Sequence, residues 1–348
     1  MPKEKRIFSI FLMITALGYI SRTTIKGKGY YILEFLISNN SALVTMDNAN
    51  GMSSPFSANT ILREGNGILF METTDRMNPP SLVLCAIESA ARVYPDRPVA
   101  FFMKGLEDIT TEEDEKRARQ QFPTLSSYNN VYLFPLRMCT LFNNTPLKPW
   151  FDKVNPKREV YWTHVSSDAC RFAIMWKYGG IYMDTDVISL CPIPQDHFVA
   201  AETFTTTSSS VFGLSLHYQL AWQLMENFVE NYRGEIWGHQ GLGVFTRVVK
   251  KMCGMPVFNS TDDVMCTNIS YFHPQRFYPI LYPSWRRYFE VWQNLPTFNY
   301  SYALHLWNFM NKEGKSMVPG SNTLVEHLYQ KQCPTTYGYI LRNEKTHI

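Results

Sequence analysis

One stretch restricts this chain more than any other. Phe172-Ala-Ile-Met-Trp-Lys-Tyr178 is apolar on most sides, Gly179 and Gly180 follow, then Ile181-Tyr182-Met183, then Asp184 and Asp186 with Thr185 between them. An apolar helix stopped by glycine and continued at once by a short apolar strand is the unit of a buried α/β core. Ser166 or Ser167 is placed to N-cap that helix, and Lys177 falls in its last turn, where a cation is favoured. Side chains alternate along an extended strand, so Asp184 and Asp186 project from one face. Two hard oxygen donors there can grip a divalent cation, and the cation can grip a diphosphate. Asp168 and Arg171 share a face at the start of the helix. Taken alone they read as an ion pair that satisfies itself within the core; the second reading sends both into the cavity of the carboxylates.

The flanking segments repeat the α/β pattern. Ile68 to Met71, Val99 to Met103 and Val131 to Phe134 read as strands, and Leu82, Cys85, Ala86, Ala90 and Val93 mark a helix between the first two. Leu106 to Gln121, rich in Glu, Lys and Arg, reads as an exposed helix or loop, and Pro146 to Trp150 as a turn-rich approach. Beyond Asp186, short strands are expected at His197 to Ala201 and Val211 to Leu216. Helices are expected at Leu220 to Tyr232, Val244 to Met252 and, last, Asn322 to Gln332. Strand, helix and strand in succession imply a mostly parallel sheet with right-handed crossovers, whose carboxyl edge carries the ligand.

The N-terminus speaks for a compartment. Lys3, Lys5 and Arg6 precede an uncharged run from Ile7 to Ile20, and Arg22, Lys26 and Lys28 follow it. Extended to Ile25 with Arg22 snorkelling, the run reads as an uncleaved signal anchor (7–25) behind a cytosolic tail (1–6); a cleaved signal peptide is the competing reading. A Ser-, Asn- and Gly-rich stem (26–66) then leads to a folded body (67–348). Asn39, Asn143, Asn259, Asn268 and Asn299 head N-x-[ST] sequons. Seven cysteines allow three disulfides and one free thiol, and Cys253 with Cys266 is the expected pair. No Cys/His spacing suits structural zinc, and a net charge of +3 makes no case for nucleic acid.

Read together, S-S-D-x-x-R-x(7)-G-G-x-Y-x-D-x-D and its flanks, His164 to Pro194, resemble the sugar-nucleotide half of the α1,4-glycosyltransferases, the globotriaosylceramide synthase-like glycosyltransferase family 32. Ile68 to Lys104 and Ser301 to Asn308 resemble the members that transfer N-acetylglucosamine. The resemblance implies a GT-A-type fold, a single-pass type II Golgi membrane protein, and a retaining transferase that uses Mn2+ and UDP-GlcNAc. The acceptor it implies is the 4-position of terminal β-galactose on mucin-type O-glycans. An α1,4-galactosyltransferase acting on glycolipid from UDP-Gal is the alternative within the class, and an inactive membrane-anchored glycan-binding protein the alternative outside it. Carried onto this chain, Asp168, Arg171, Tyr182 and Asp184 hold the donor, and Asp186 ligates the metal, with Asp184 on the ribose or on the metal through water. His305 is the candidate third ligand; otherwise it is a core histidine between Leu304 and Leu306. Glu202 is the candidate nucleophile on the sugar's β face, unless front-side attack dispenses with one. Trp237, Gln240 and Gly241 are expected to line the acceptor pocket, or merely to open the helix that follows.

Overall fold

The computed structural model describes residues 55–343. The expected tail, anchor, Asn39 and most of the stem lie outside the described residues. A turn of helix, α1 (Ala58–Ile61), comes first, its Ser57 hydroxyl accepting from Thr60 N at 3.2 Å. Leu62 is buried in an apolar cluster of the body, so packed structure begins ahead of Gly67, inside the segment expected to be stem.

There follow β1 (Ile68–Glu72), α2 (Ser81–Val93), β2 (Val99–Met103), α3 (Glu112–Gln120), β3 (Val131–Pro135), α4 (Met138–Leu141), α5 (Leu147–Phe151) and the long helix α6 (Trp162–Tyr178). The second half runs β4 (Gly180–Met183), β5 (Val187–Ser189), β6 (Phe198–Thr203), β7 (Thr206–Leu214), α7 (Gln219–Glu230) and α8 (Leu242–Cys253). It ends with β8 (Val264–Cys266), β9 (Ile269–Phe272), β10 (Ala303–His305), α9 (Leu324–Gln332) and α10 (Pro334–Asn343).

Eight strands form one sheet in the order β3-β2-β1-β4-β7-β6-β9-β8. The β3-β2-β1-β4 half is parallel, as expected. β7 departs from that expectation: it lies antiparallel to both β4 and β6, and β8 antiparallel to β9. The reason is local, since Phe204 and Thr205 join β6 to β7 in a hairpin, and a short hairpin can only make antiparallel neighbours. β7 also starts at Thr206, well before Val211, because its first half is polar and carries no apolar signal. Both faces of the sheet are covered. Ile68, Phe70, Val99 and Phe101 pack in one cluster with α2, α9 and α10, while Leu69, Met71, Ala100 and Phe102 pack in the other with α6, α7 and α8. This period-two split, buried on both sides, is why the strands read as continuous apolar runs.

Three sequence expectations need correction. Helix α6 starts at Trp162, not at a Ser166 or Ser167 cap: Ser166 Oγ bonds back to Thr163 O (3.3 Å) and Ser167 Oγ accepts from Arg171 Nη2 (3.2 Å), so both hydroxyls are used within the helix. Pro146 to Trp150 contains α5 rather than turns alone. A further helix, α10, follows α9, its first N–H groups capped from afar by buried Glu88, which accepts from Thr335 N and Thr336 N at 2.7 Å each. Cys253 and Cys266 are bonded as expected, and Cys85–Cys333 ties α2 to the start of α10. Cys139, Cys170 and Cys191 are free, so there are two disulfides and not three.

Candidate active site

The turn from α6 into β4 requires its two glycines. Gly179 (φ 60°) and Gly180 (φ 99°) both lie in the left-handed region. A Cβ on Gly180 would stand 2.1 Å from Gly67 O. This close approach lets β4 enter the sheet beside β1 and carry the two aspartates to its carboxyl edge. Asp184 N still donates to Ser210 O (2.8 Å), one rung beyond β4, and Asp184 O then accepts from Val187 N (3.1 Å) to turn the chain into β5.

The third member of the site comes from the far end of the chain. β5 pairs antiparallel with β10, setting His305 opposite Val187, and Leu306 N donates to Asp186 O at 2.9 Å. Trp307 takes a left-handed backbone (φ 57°), a conformation that costs a non-glycine residue about 1 kcal/mol; its indole N–H is anchored on Ile280 O at 2.8 Å. The bend this makes brings Asn308 N onto Asp186 Oδ2 at 2.8 Å. His305 Nε2 lies 3.3 Å from Asp186 Oδ1. One ligand atom from each of Asp184, Asp186 and His305 falls within 4.8 Å of the others. Two carboxylates and a buried imidazole, whose Nδ1 has no hydrogen-bond partner among the described residues, make a donor set that fits a divalent cation.

Arg171 organises the interior of the site. Its Nη1 donates to Ser209 O (2.7 Å) and Ser209 Oγ (3.1 Å), and its Nη2 lies 3.3 Å from Asp184 Oδ1. Its guanidinium stands over the Tyr182 ring, whose hydroxyl donates to Asp184 Oδ1 at 2.7 Å. Asp168 is only a loose partner, 3.5 Å from an Arg171 Nε that has no hydrogen bond. The Asp168–Arg171 ion pair is thus present but open: Arg171 donates its hydrogen bonds to Ser209, Ser167 and Asp184, and the Asp168 carboxyl keeps only the 3.5 Å contact. Burial pushes Asp168 up to about 7 despite Arg171. Burial opposes charge on His305 too, but Asp186, then Asp184 and Glu202, outweigh it and hold its pKa above 6.5. In the same pair burial raises Asp186, and His305 and the Asn308 N–H more than reverse that.

The remaining expected residues part ways. Glu202, at the end of β6, has no hydrogen bond or ion pair among the described residues; burial raises its pKa, His305 lowers it and Asp184 raises it further, which puts it beside the metal-binding set. Gln240 is not available to an acceptor: it is buried, its Oε1 accepts from Arg233 N (3.0 Å) and its Nε2 donates to Phe228 O (2.8 Å). Gly241 lies against Asp168, where an added Cβ would be 2.4 Å from Oδ1. Trp237 is exposed and packs on Phe309 and His164. Sequence reasoning missed His164, Ser209 and Asn308. His164 was within reach, because with α6 starting at Trp162, His164, Asp168 and Arg171 fall at i, i+4 and i+7 on one face; Asn308 acts through its backbone N–H and Ser209 through its carbonyl as well as its hydroxyl, and one serine in a Ser/Thr-rich strand gives no distinct signal.

A mixed α/β sheet that presents a D-x-D and an imidazole at its carboxyl edge places a donor set fitted to a divalent cation where open α/β sheets bind ligands, and likeness to known proteins assigns it to the glycosyltransferases. Residues 80–205 match the glycosyltransferase sugar-binding region containing DXD motif, and residues 214–340 the alpha 1,4-glycosyltransferase conserved region. The chain is 52% identical over 282 residues to a human alpha-1,4-N-acetylglucosaminyltransferase, spanning 81% of this chain and 83% of that protein. It is 34% identical over 274 residues to the mouse lactosylceramide 4-alpha-galactosyltransferase, spanning 78% and 75%. Among solved structures, the PaToxG glycosyltransferase overlays with a TM-score of 0.42 at 18% identity, over 53% of this chain and 69% of that one. The chain belongs to the α1,4-glycosyltransferase family.

Proposed function

We propose that this enzyme transfers N-acetylglucosamine from UDP-GlcNAc, with retention, to the 4-hydroxyl of terminal β-galactose on mucin-type O-glycans, using Mn2+. The observation that carries the donor assignment is the 52% identity to an alpha-1,4-N-acetylglucosaminyltransferase, together with the intact Asp184, Asp186 and His305 set. Asp186 and His305 would hold the ion, with Asp184 beside them; when bound, it supplies the positive charge that a leaving diphosphate needs. Asp168, raised by burial to about 7 and held only by the long contact to Arg171, is suited to hydrogen-bond a donor-sugar hydroxyl. Retention is served by Glu202 as a nucleophile, whose unpaired carboxylate stands near His305 and Asp184, or by front-side attack without a protein base. UDP-Gal is the second donor reading, favoured by the 34% identity to a lactosylceramide 4-alpha-galactosyltransferase.

We also infer a single-pass type II Golgi placement with the catalytic body in the lumen. The uncharged run at Ile7 to Ile20 and its flanking cations support it, as do the two disulfides and the exposure of Asn143, Asn259, Asn268 and Asn299. Among the described residues no helix is long and apolar enough to cross a membrane.

The test is donor hydrolysis and transfer with UDP-GlcNAc and UDP-Gal, with and without Mn2+. Turnover of neither donor under any metal would sink the proposal. Preferential use of UDP-Gal would replace it with the second reading. Asp186→Ala should abolish metal-dependent UDP binding, and unchanged affinity would refute the ligand assignment.

A further inference from the structure

Three segments distant in sequence assemble an aromatic cluster at the rim of the site. Trp237 and Phe309 stack with centroids 4.0 Å apart and planes at 13°. His164 meets both edge-on, at 4.4 Å and 4.9 Å, and Lys312 Nζ sits 3.6 Å from the far side of this stack, on Phe309. Tyr161 flanks Trp237 at 5.5 Å. Trp237 remains 45% and Phe309 40% exposed.

Both loops that carry these rings end on donor-site carboxylates. The Phe309 loop is tied through Asn308 N to Asp186, and the Trp237 loop closes at Gly241 against Asp168. The Trp237 loop is held further by Gln240 on Arg233 N and by Gly243 N on Gly238 O at 2.9 Å. His164 stands one helical turn before Asp168 on the same face of α6. The cluster is thus positioned from both sides of the donor site, not by a mobile surface loop alone.

Resting on the β-galactoside acceptor reading above, we infer that His164, Trp237 and Phe309 form the subsite for the acceptor's terminal galactose, with Trp237 receiving the apolar face of the sugar. In β-galactopyranose the axial C–H bonds at C1, C3 and C5 lie on one face and the axial 4-hydroxyl on the other. A ring laid with its C–H face on the indole therefore directs its 4-hydroxyl away from Trp237 and into the site. A glucoside, whose 4-hydroxyl is equatorial, has no such orientation on this platform. Burial, Arg171 and Lys312 lower the His164 pKa, so its ring is neutral near pH 7 and able to accept or donate a hydrogen bond to a sugar hydroxyl.

The test uses full-length Trp237→Ala and Trp237→Phe with methyl β-galactoside as probe, read by saturation-transfer NMR and by initial rates. For Trp237→Ala, the acceptor KM should rise about tenfold and saturation at H3 and H5 should be lost, while metal-dependent UDP affinity shifts less than twofold. Trp237→Phe should recover most of both signals. Acceptor KM and saturation unaffected by Trp237→Ala would overturn the inference, and so would an equal loss of UDP affinity, which marks a structural role. If the wild-type chain transfers to no acceptor, the proposed function fails, while the NMR arm still decides the subsite.

Discussion

Gly241→Ala offers the sharpest test of how the donor pocket is built. The backbone at Gly241 has φ −103°, so a left-handed φ is not what places a glycine there. The constraint is the neighbour: an alanine Cβ would lie 2.4 Å from Asp168 Oδ1 and 2.7 Å from both Cγ and Oδ2. Ordinary contact distances are about 3.4 Å or more, so the whole carboxyl group must retreat by roughly 1 Å. Asp168 sits on a packed helix and is too short to swing clear. Overpacking of this kind costs about 1–3 kcal/mol of stability, which a domain of this size can absorb. A charged hydrogen bond is worth about 1.5–3 kcal/mol, so displacing Asp168 from a donor hydroxyl should lower kcat/KM by about 10- to 100-fold. Initial rates over a donor titration measure it. The decisive arm is the pair of variants: with the carboxyl removed by Asp168→Ala, adding Gly241→Ala should cost less than twofold more. Additive losses in the double variant would refute the steric account.

Other outcomes follow from the same geometry. Because His305 holds its proton to a pH above 6.5, the proton competes with the metal; Mn2+ affinity should climb with pH and level off only above 6.5, and isothermal titration at stepped pH that levels off lower would contradict it. Glu88→Gln places an amide N–H2 against backbone donors that a carboxylate oxygen now satisfies; it should destabilise by about 2–4 kcal/mol, seen as a lower denaturant midpoint. Replacing Cys85 and Cys333 with alanine opens a loop closed over 248 residues and should cost about 2–5 kcal/mol, with an unchanged melting temperature as the contrary result.

Much of this was already present in the order of residues. The apolar helix, the glycine pair, the short strand and the two aspartates are neighbours in the chain, and local sterics with a period of two place both carboxylates on one face. The Cys253–Cys266 bridge was equally open to expectation, since the two are only 13 positions apart. Where local signals mix, the sequence misleads: Ser166 and Ser167 resemble caps but lie inside the helix, and a polar half-strand conceals the start of β7.

Long-range choices belonged to the tertiary structure. His305 reaches Asp186 only because β10 pairs with β5, Arg171 serves Asp184 and Ser209 besides its open pair with Asp168, and Gln240 was claimed by two backbone groups. Trp237 and Phe309 met at the rim of the site although 71 positions separate 237 from 309 in the sequence between them. Periodicity and capping act over a few residues and so can be read along the chain. Which buried polar group finds which partner depends on how packed layers bring distant backbone together, and that is decided only when the sheet closes.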